Sequence, residues 1–153
     1  MELVVLMGLP GSGKTTFYRS CFATTHVQVG KDLFPNNRNK ARRQQHLLEA
    51  ALAGGLGVVL DNTNPTMDDR AAPITLAHTY GAAVIGYVFP RDIAGALERN
   101  RGREGRARVP DIAIYATAQR WQPPSLDEGF DLLCSVRITL EGHFEISPWN
   151  PGG

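Results

Sequence analysis

A parallel β-sheet flanked by helices on both faces, forming one α/β domain, is the fold predicted for this chain of 153 residues. Three observations predict it. Residues 8–15 read Gly8-Leu9-Pro10-Gly11-Ser12-Gly13-Lys14-Thr15, a full match to G-x-x-x-x-G-K-[ST], set between an apolar run and a helix-like stretch. Short β-branched runs then alternate with helical stretches, as in βαβ units. Polar clusters close three of those runs: Gly30-Lys31-Asp32, Asp61-Asn62-Thr63-Asn64 and Pro90-Arg91-Asp92. They fall where a parallel sheet presents ligands, beyond the carboxyl ends of its strands.

The elements follow in order. Strands are expected at 3–7, 27–30, 57–60, 83–89 and 133–139, with helices at 13–21, 38–53, 67–80, 93–99 and 111–120. Thr66 and Asp92 suit N-caps, and Gly54-Gly55 and Gly81 suit helix ends. Pro73 should kink the third helix or mark its true start, because it lacks an amide hydrogen. Residues 144–146 add a short edge strand. One domain spans 1–147, and the breaker-rich segment 148–153 reads as a flexible tail. The strand order is not fixed by sequence.

Composition narrows the function. The apolar fraction is 42% and the net charge +1, ordinary for a globular protein and unsuited to broad coating of nucleic acid. No apolar stretch is long enough to span a bilayer, and the run at 3–7 is too short for a signal peptide, so a cytoplasmic protein is expected, or a nuclear one if the source is eukaryotic. Cys21 and Cys134 are too few for a disulfide framework or zinc site and read as small buried apolar residues. The basic charge is clustered. Lys31, Arg38, Lys40, Arg42 and Arg43 face a single acid, Asp32, and the five arginines between 99 and 108 face only Glu104. Each run reads either as a solvated surface or as a phosphate contact.

The glycine-rich loop carries the chemistry. Its backbone N–H groups can cradle a polyphosphate, Lys14 can reach the β- and γ-phosphates, and the Thr15 hydroxyl can ligate Mg²⁺. ATP and Mg²⁺ are therefore the expected cofactors, with Gly8, Leu9, Pro10, Gly11, Ser12, Gly13, Lys14, Thr15 and Thr16 forming the nucleotide site. Phosphoryl transfer also needs a base, for which Asp32 is the candidate; a turn or capping role is its alternative. Asp61, at the end of an apolar run, suits a Mg²⁺-bound water, an arginine or the acceptor, or else an Asx turn. The arginine-rich segment 99–108, with Gly102 and Gly105, has the composition of a lid over transferring phosphates, or of a solvated loop.

Four motifs together resemble those of polynucleotide 5′-kinase domains: the loop at 8–15, Val29-Gly30-Lys31-Asp32, Asp61-Asn62-Thr63-Asn64-Pro65, and Asn100-Arg101-Gly102-Arg103-Glu104. The string Trp121-Gln122-Pro123-Pro124-Ser125-Leu126-Asp127-Glu128-Gly129-Phe130 is similar to a segment after the lid in the kinase half of polynucleotide kinase/phosphatases. The likeness covers about residues 2–140. It implies an adenylate-kinase-like P-loop kinase fold and Asp32 as general base for a 5′-hydroxyl. It further implies Asp61 near the acceptor, Arg101 and Arg103 on donor phosphates, and acceptor-side roles for Arg38, Asn64 and Arg70, with a helix-surface place for Arg70 left open. Glycine stands at 30 where the family usually has asparagine, and no Asp-x-Asp-x-Thr phosphatase motif occurs. The implied acceptor is a nucleic-acid 5′-end, with room for a separate phosphatase or ligase partner. A small-metabolite kinase and a regulatory ATP-binding module remain open, as does the choice of ATP over GTP.

Overall fold

In a computed structural model, which describes residues 1–150, six strands form one sheet in the order β2-β3-β1-β4-β5-β6. Strands β1 (Glu2–Met7), β2 (His26–Val29), β3 (Gly57–Asp61), β4 (Ala83–Val88) and β5 (Leu132–Ile138) are parallel, and β6 (Phe144–Pro148) pairs antiparallel with β5. The five helices are α1 (Lys14–Cys21), α2 (Lys40–Ala53), α3 (Met67–Thr79), α4 (Ile93–Arg101) and α5 (Asp111–Arg120). Order and type match the sequence expectation throughout. The chain leaves central β1 toward one edge, returns through β3, and crosses to β4 on the other side, so a crevice opens beyond β1 and β3.

Alternation along β1 sets the two faces. Leu3, Val5 and Met7 pack with Leu48 and Leu52 of α2 and Ile74 and Ala77 of α3. Val4 and Leu6 point the other way, onto Phe17 and Tyr18 of α1. Phe17 meets Phe22, Tyr87, Phe89 and Phe144 edge-on at centroid separations of 5.1–5.6 Å. A third cluster joins Leu9 of the glycine-rich loop to Ala96 of α4 and Ile114 and Ala118 of α5. No helix among the described residues is long and apolar enough to cross a membrane.

Both expected N-caps form: the Thr66 hydroxyl accepts from the Asp69 amide at 3.1 Å and the Asp92 carboxylate from the Gly95 amide at 3.0 Å. Of the two readings of Pro73, a kink or a helix start, the start is excluded, because the Thr66 cap begins α3 at Met67 and the helix runs through the proline to Thr79. Two expectations need correction. Pro148 closes β6, and Trp149 is tied by its amide to the Leu133 carbonyl at 3.1 Å and by its indole to the Pro124 carbonyl at 3.3 Å. The tail expected at 148–153 thus begins as docked chain, since pairing with β5 outweighs local breakers; 151–153 lie outside the described residues. The cysteines are free, Cys21 exposed on the last turn of α1 and Cys134 half-buried, so neither is a buried apolar residue.

Candidate active site

The glycine-rich loop joins β1 to α1 and is anchored on three sides. The Gly8 amide donates to the Thr63 carbonyl at 3.0 Å, which ties the loop to the segment after β3. Leu9 is buried among α4 and α5, and Nε of Arg99 donates to the Gly11 carbonyl. Gly11 has φ of +78°, and a Cβ there would stand 2.8 Å from the Ala96 carbonyl oxygen, so only glycine lets the loop pass α4. Lys14 folds back over the loop, donating to the carbonyls of Gly8 at 3.0 Å and Leu9 at 2.7 Å and to the Ser12 hydroxyl at 3.3 Å. Burial pushes its pKa down to about 8; Asp61 opposes that shift, Arg103 adds to it, and Asp32 opposes it.

Beside this loop lies a cleft of ≈ 610 Å³ lined by Lys14, Thr15, Asp32, Asp61, Arg103 and Arg106 among others. They arrive from four stretches of chain, the start of α1, the turn after β2, the end of β3 and the segment after α4, and the sheet register brings them together. Asp61 ends β3 opposite Leu6 of β1, next to the strand that delivers Thr15. Its Oδ2 accepts from the Thr15 hydroxyl at 2.9 Å and from the Gln28 amide at 2.9 Å. Asp32 sits in the 3-10 turn Lys31–Leu33 that follows β2. That turn is held by the Lys31 amide on Asn62 Oδ1 at 2.9 Å, while Asn62 Nδ2 donates to buried Gln44 of α2 at 2.6 Å. Thr15 and Asp61 place a hydroxyl and a carboxylate together, hard oxygen donors suited to Mg²⁺. No group of three His, Cys, Asp or Glu side chains that could hold a metal occurs among the described residues. A two-donor site of this kind suits an ion that takes its other ligands from water and phosphate.

The arginine-rich segment closes one wall. Asn100, wholly buried, staples its two ends: Nδ2 donates to the Val109 carbonyl at 2.7 Å and Oδ1 accepts from the Val109 amide at 3.0 Å. The loop between projects Arg103 and Arg106 into the cleft. Arg101 does not reach it. On α4 it lies about 200° around the helix from Arg99, whose side chain faces the glycine-rich loop, so Arg101 points outward and is exposed.

Thus Pro10, Gly11, Lys14, Thr15, Thr16, Asp32, Asp61 and Arg103 meet in one cleft, whereas Gly8, Leu9, Ser12 and Gly13 lie buried beneath it. Three further residues stand outside that cleft. Arg38 is exposed and off the main cleft, next to a smaller surface concavity lined by Asn37, Asn39, Arg42, Arg43 and His46. Asn64 is buried at φ of +46° with its amide on the Leu6 carbonyl at 2.7 Å, a structural place. Arg70 is fully buried and bound to Glu128, neither at the cleft nor on a helix surface. Sequence reasoning covered Arg106 only as part of the segment 99–108 and missed Gln28. Gln28 left a signal, a polar residue inside an apolar strand and on the same face as residue 30.

Comparison with known proteins bears on the family and the fold. A family model described as an AAA domain matches residues 3–124. The bifunctional polynucleotide phosphatase/kinase of Schizosaccharomyces pombe is 31% identical over 97% of this chain and 36% of its own length, so the chain spans about a third of that relative. Kti12 of Chaetomium thermophilum, solved with ADP-AlF3, superposes with a TM-score of 0.67 at 18% identity, covering 87% of each chain. A fungal RNA kinase gives a TM-score of 0.67 at 17% identity over 90% of this chain and 76% of that one. The two structural likenesses establish a P-loop kinase-like fold.

Proposed function

This chain belongs to the AAA-domain family, and on that footing we propose that it is an ATP-dependent kinase that transfers the γ-phosphoryl group to a 5′-hydroxyl end of DNA or RNA. The observation that carries the proposal is the meeting of Asp32, Lys14, Thr15, Asp61 and Arg103 in one cleft, from four separate stretches of chain. These are the parts that in-line phosphoryl transfer needs. In support of a polynucleotide acceptor stand the name of the Schizosaccharomyces pombe relative and the concavity with Arg42, Arg43 and His46, which no carboxylate lines. That concavity lies on α2, which packs against the turn carrying Asp32.

In this reading the loop amides and the N-terminus of α1 hold the donor phosphates, and Lys14 leaves its loop carbonyls for the phosphate oxygens. Thr15 and Asp61 would hold Mg²⁺, which when bound offsets charge on those oxygens. Asp32 accepts the proton of the 5′-hydroxyl as its oxygen forms the new bond to phosphorus. The bond from phosphorus to the bridging oxygen breaks, and ADP leaves. Arg103 and Arg106 stabilise the charge that spreads over the transferring group. A phosphatase or ligase acting on the same ends is the partner this function suits, since the relative's name joins phosphatase to kinase.

The test is transfer of labelled γ-phosphate to DNA and RNA oligonucleotides bearing 5′-hydroxyls and to a panel of nucleosides. Asp32→Asn should retain ATP binding and lose about 100-fold or more in transfer. Labelling of nucleosides but not oligonucleotides would redirect the acceptor to a small molecule. Unchanged turnover in Asp32→Asn would remove that residue from the reaction.

A further inference from the structure

Arg70 and the segment after α5 remain unexplained by the cleft, yet they form the most buried ion pair among the described residues. The Arg70 guanidinium donates through Nε and Nη2 to the two Glu128 oxygens at 2.9 and 3.2 Å, through Nη2 to the Gln122 carbonyl at 3.0 Å, and through Nη1 to the Asn64 carbonyl at 3.0 Å. Glu128 is itself fixed, its Oε2 accepting from the Ser125 amide at 3.0 Å. The same segment grips the turn after β3 twice more: the Gln122 amide donates to the Pro65 carbonyl and the Met67 amide to Gln122 Oε1, each at 2.7 Å.

On its other side that turn meets the phosphate loop. The Asn64 side-chain amide reaches the Leu6 carbonyl at 2.7 Å, and the Thr63 carbonyl accepts the Gly8 amide at 3.0 Å. Asn64 holds a left-handed backbone, φ +46°, which is uncommon for a residue with a side chain and needs surroundings that enforce it. A buried ion pair is weak evidence of stabilisation, since apolar packing of like volume often does as well. The fork of an arginine does something apolar packing cannot, spanning a carboxylate and two carbonyls at once.

We propose that Arg70 and Glu128 are positioning residues for the phosphate-binding loop, acting through Asn64 and Thr63 to hold the Gly8 amide and the loop entrance in register with Asp61. The kinetic part of this inference rests on the kinase reading above; the mechanical part does not. Arg70→Lys keeps the charge beside Glu128 but cannot span all three partners. Glu128→Gln keeps the shape and weakens the grip, and it serves if the lysine variant folds poorly.

Hydrogen exchange, read by NMR at single amides, tests the linkage directly. Gly8 should exchange faster by about tenfold relative to Val5, which sits in the middle of β1, the strand that leads into the loop. General loosening would move both amides together, and a merely structural pair would give that result or none; either would overturn the proposal. With ATP and an oligonucleotide, kcat should fall by about tenfold while the KM for ATP stays within about twofold, because Leu9 and Arg99 still anchor the loop. Loss of ATP affinity with kcat intact would overturn it equally. Should the wild-type protein label no acceptor, the kinase reading fails and the exchange experiment alone decides this one.

Discussion

Lys14 joins burial to charge in a way that can be titrated. An ordinary lysine loses its proton near 10.5, whereas burial brings this one to about 8. Between those values the unfolded chain binds more protons at Lys14 than the folded one. Stability of the nucleotide-free protein should therefore rise as pH climbs from about 8 toward 10.5, and Lys14→Met should flatten that rise. Urea midpoints across the range check the sign. Polyphosphate beside the amine would favour its charged form. ATP binding at pH 8 should accordingly take up about half a proton, seen as a dependence of binding enthalpy on buffer ionisation. Equal enthalpies in all buffers, or uptake that persists in Lys14→Met, would place the titrating group elsewhere.

Pairing of β2 with β3 sets the distance between the two aspartates of the cleft. Gly30 follows β2 in extended conformation, so its backbone would suit any residue, but a Cβ there collides with the carbonyl oxygen of Asp61. The strands can close at this end only because position 30 is bare. Gly30→Ala should push the two strand ends apart, costing about 1–3 kcal/mol in a denaturant titration. It should also reduce phosphoryl transfer more than ATP affinity, because Asp32 rides on the displaced end while the nucleotide loop follows β1. Equal losses in binding and transfer would mean that the displacement spreads through the whole sheet. Gln28 supplies an amide on the same strand face.

Across the whole molecule, a net charge of +1 conceals an uneven distribution. The concavity with Arg42, Arg43 and His46 adjoins the element that carries Asp32, while Arg103 and Arg106 face the cleft from the segment after α4. Few cations are thus placed to follow an acceptor strand. Affinity for a single-stranded oligonucleotide should fall with salt at a log–log slope of about −2, the value for about three phosphate contacts. Fluorescence anisotropy between 50 and 300 mM salt, roughly the useful range, measures it. A slope near zero would mean that the acceptor is recognised without its phosphates, and one steeper than about −5 would mean a binding track much longer than this surface offers.

What the amino-acid order determined by itself was local. Periodicity and capping placed every helix and strand type, since apolar spacing and N-cap chemistry act over a few residues. The phosphate loop was legible for the same reason. Asp32 and Asp61 could be read as candidates because strand ends in a parallel sheet point one way. The tertiary structure decided the strand order, the contact between Thr15 and Asp61, and which arginines face the cleft. It also turned Asn64 and Arg70 from expected substrate contacts into internal supports. Arg70 finds Glu128 58 positions away and Gln122 52 positions away. A charged side chain announces that it needs partners, but when those partners are distant in sequence only the packed chain can supply them, because burial is a property of the whole fold.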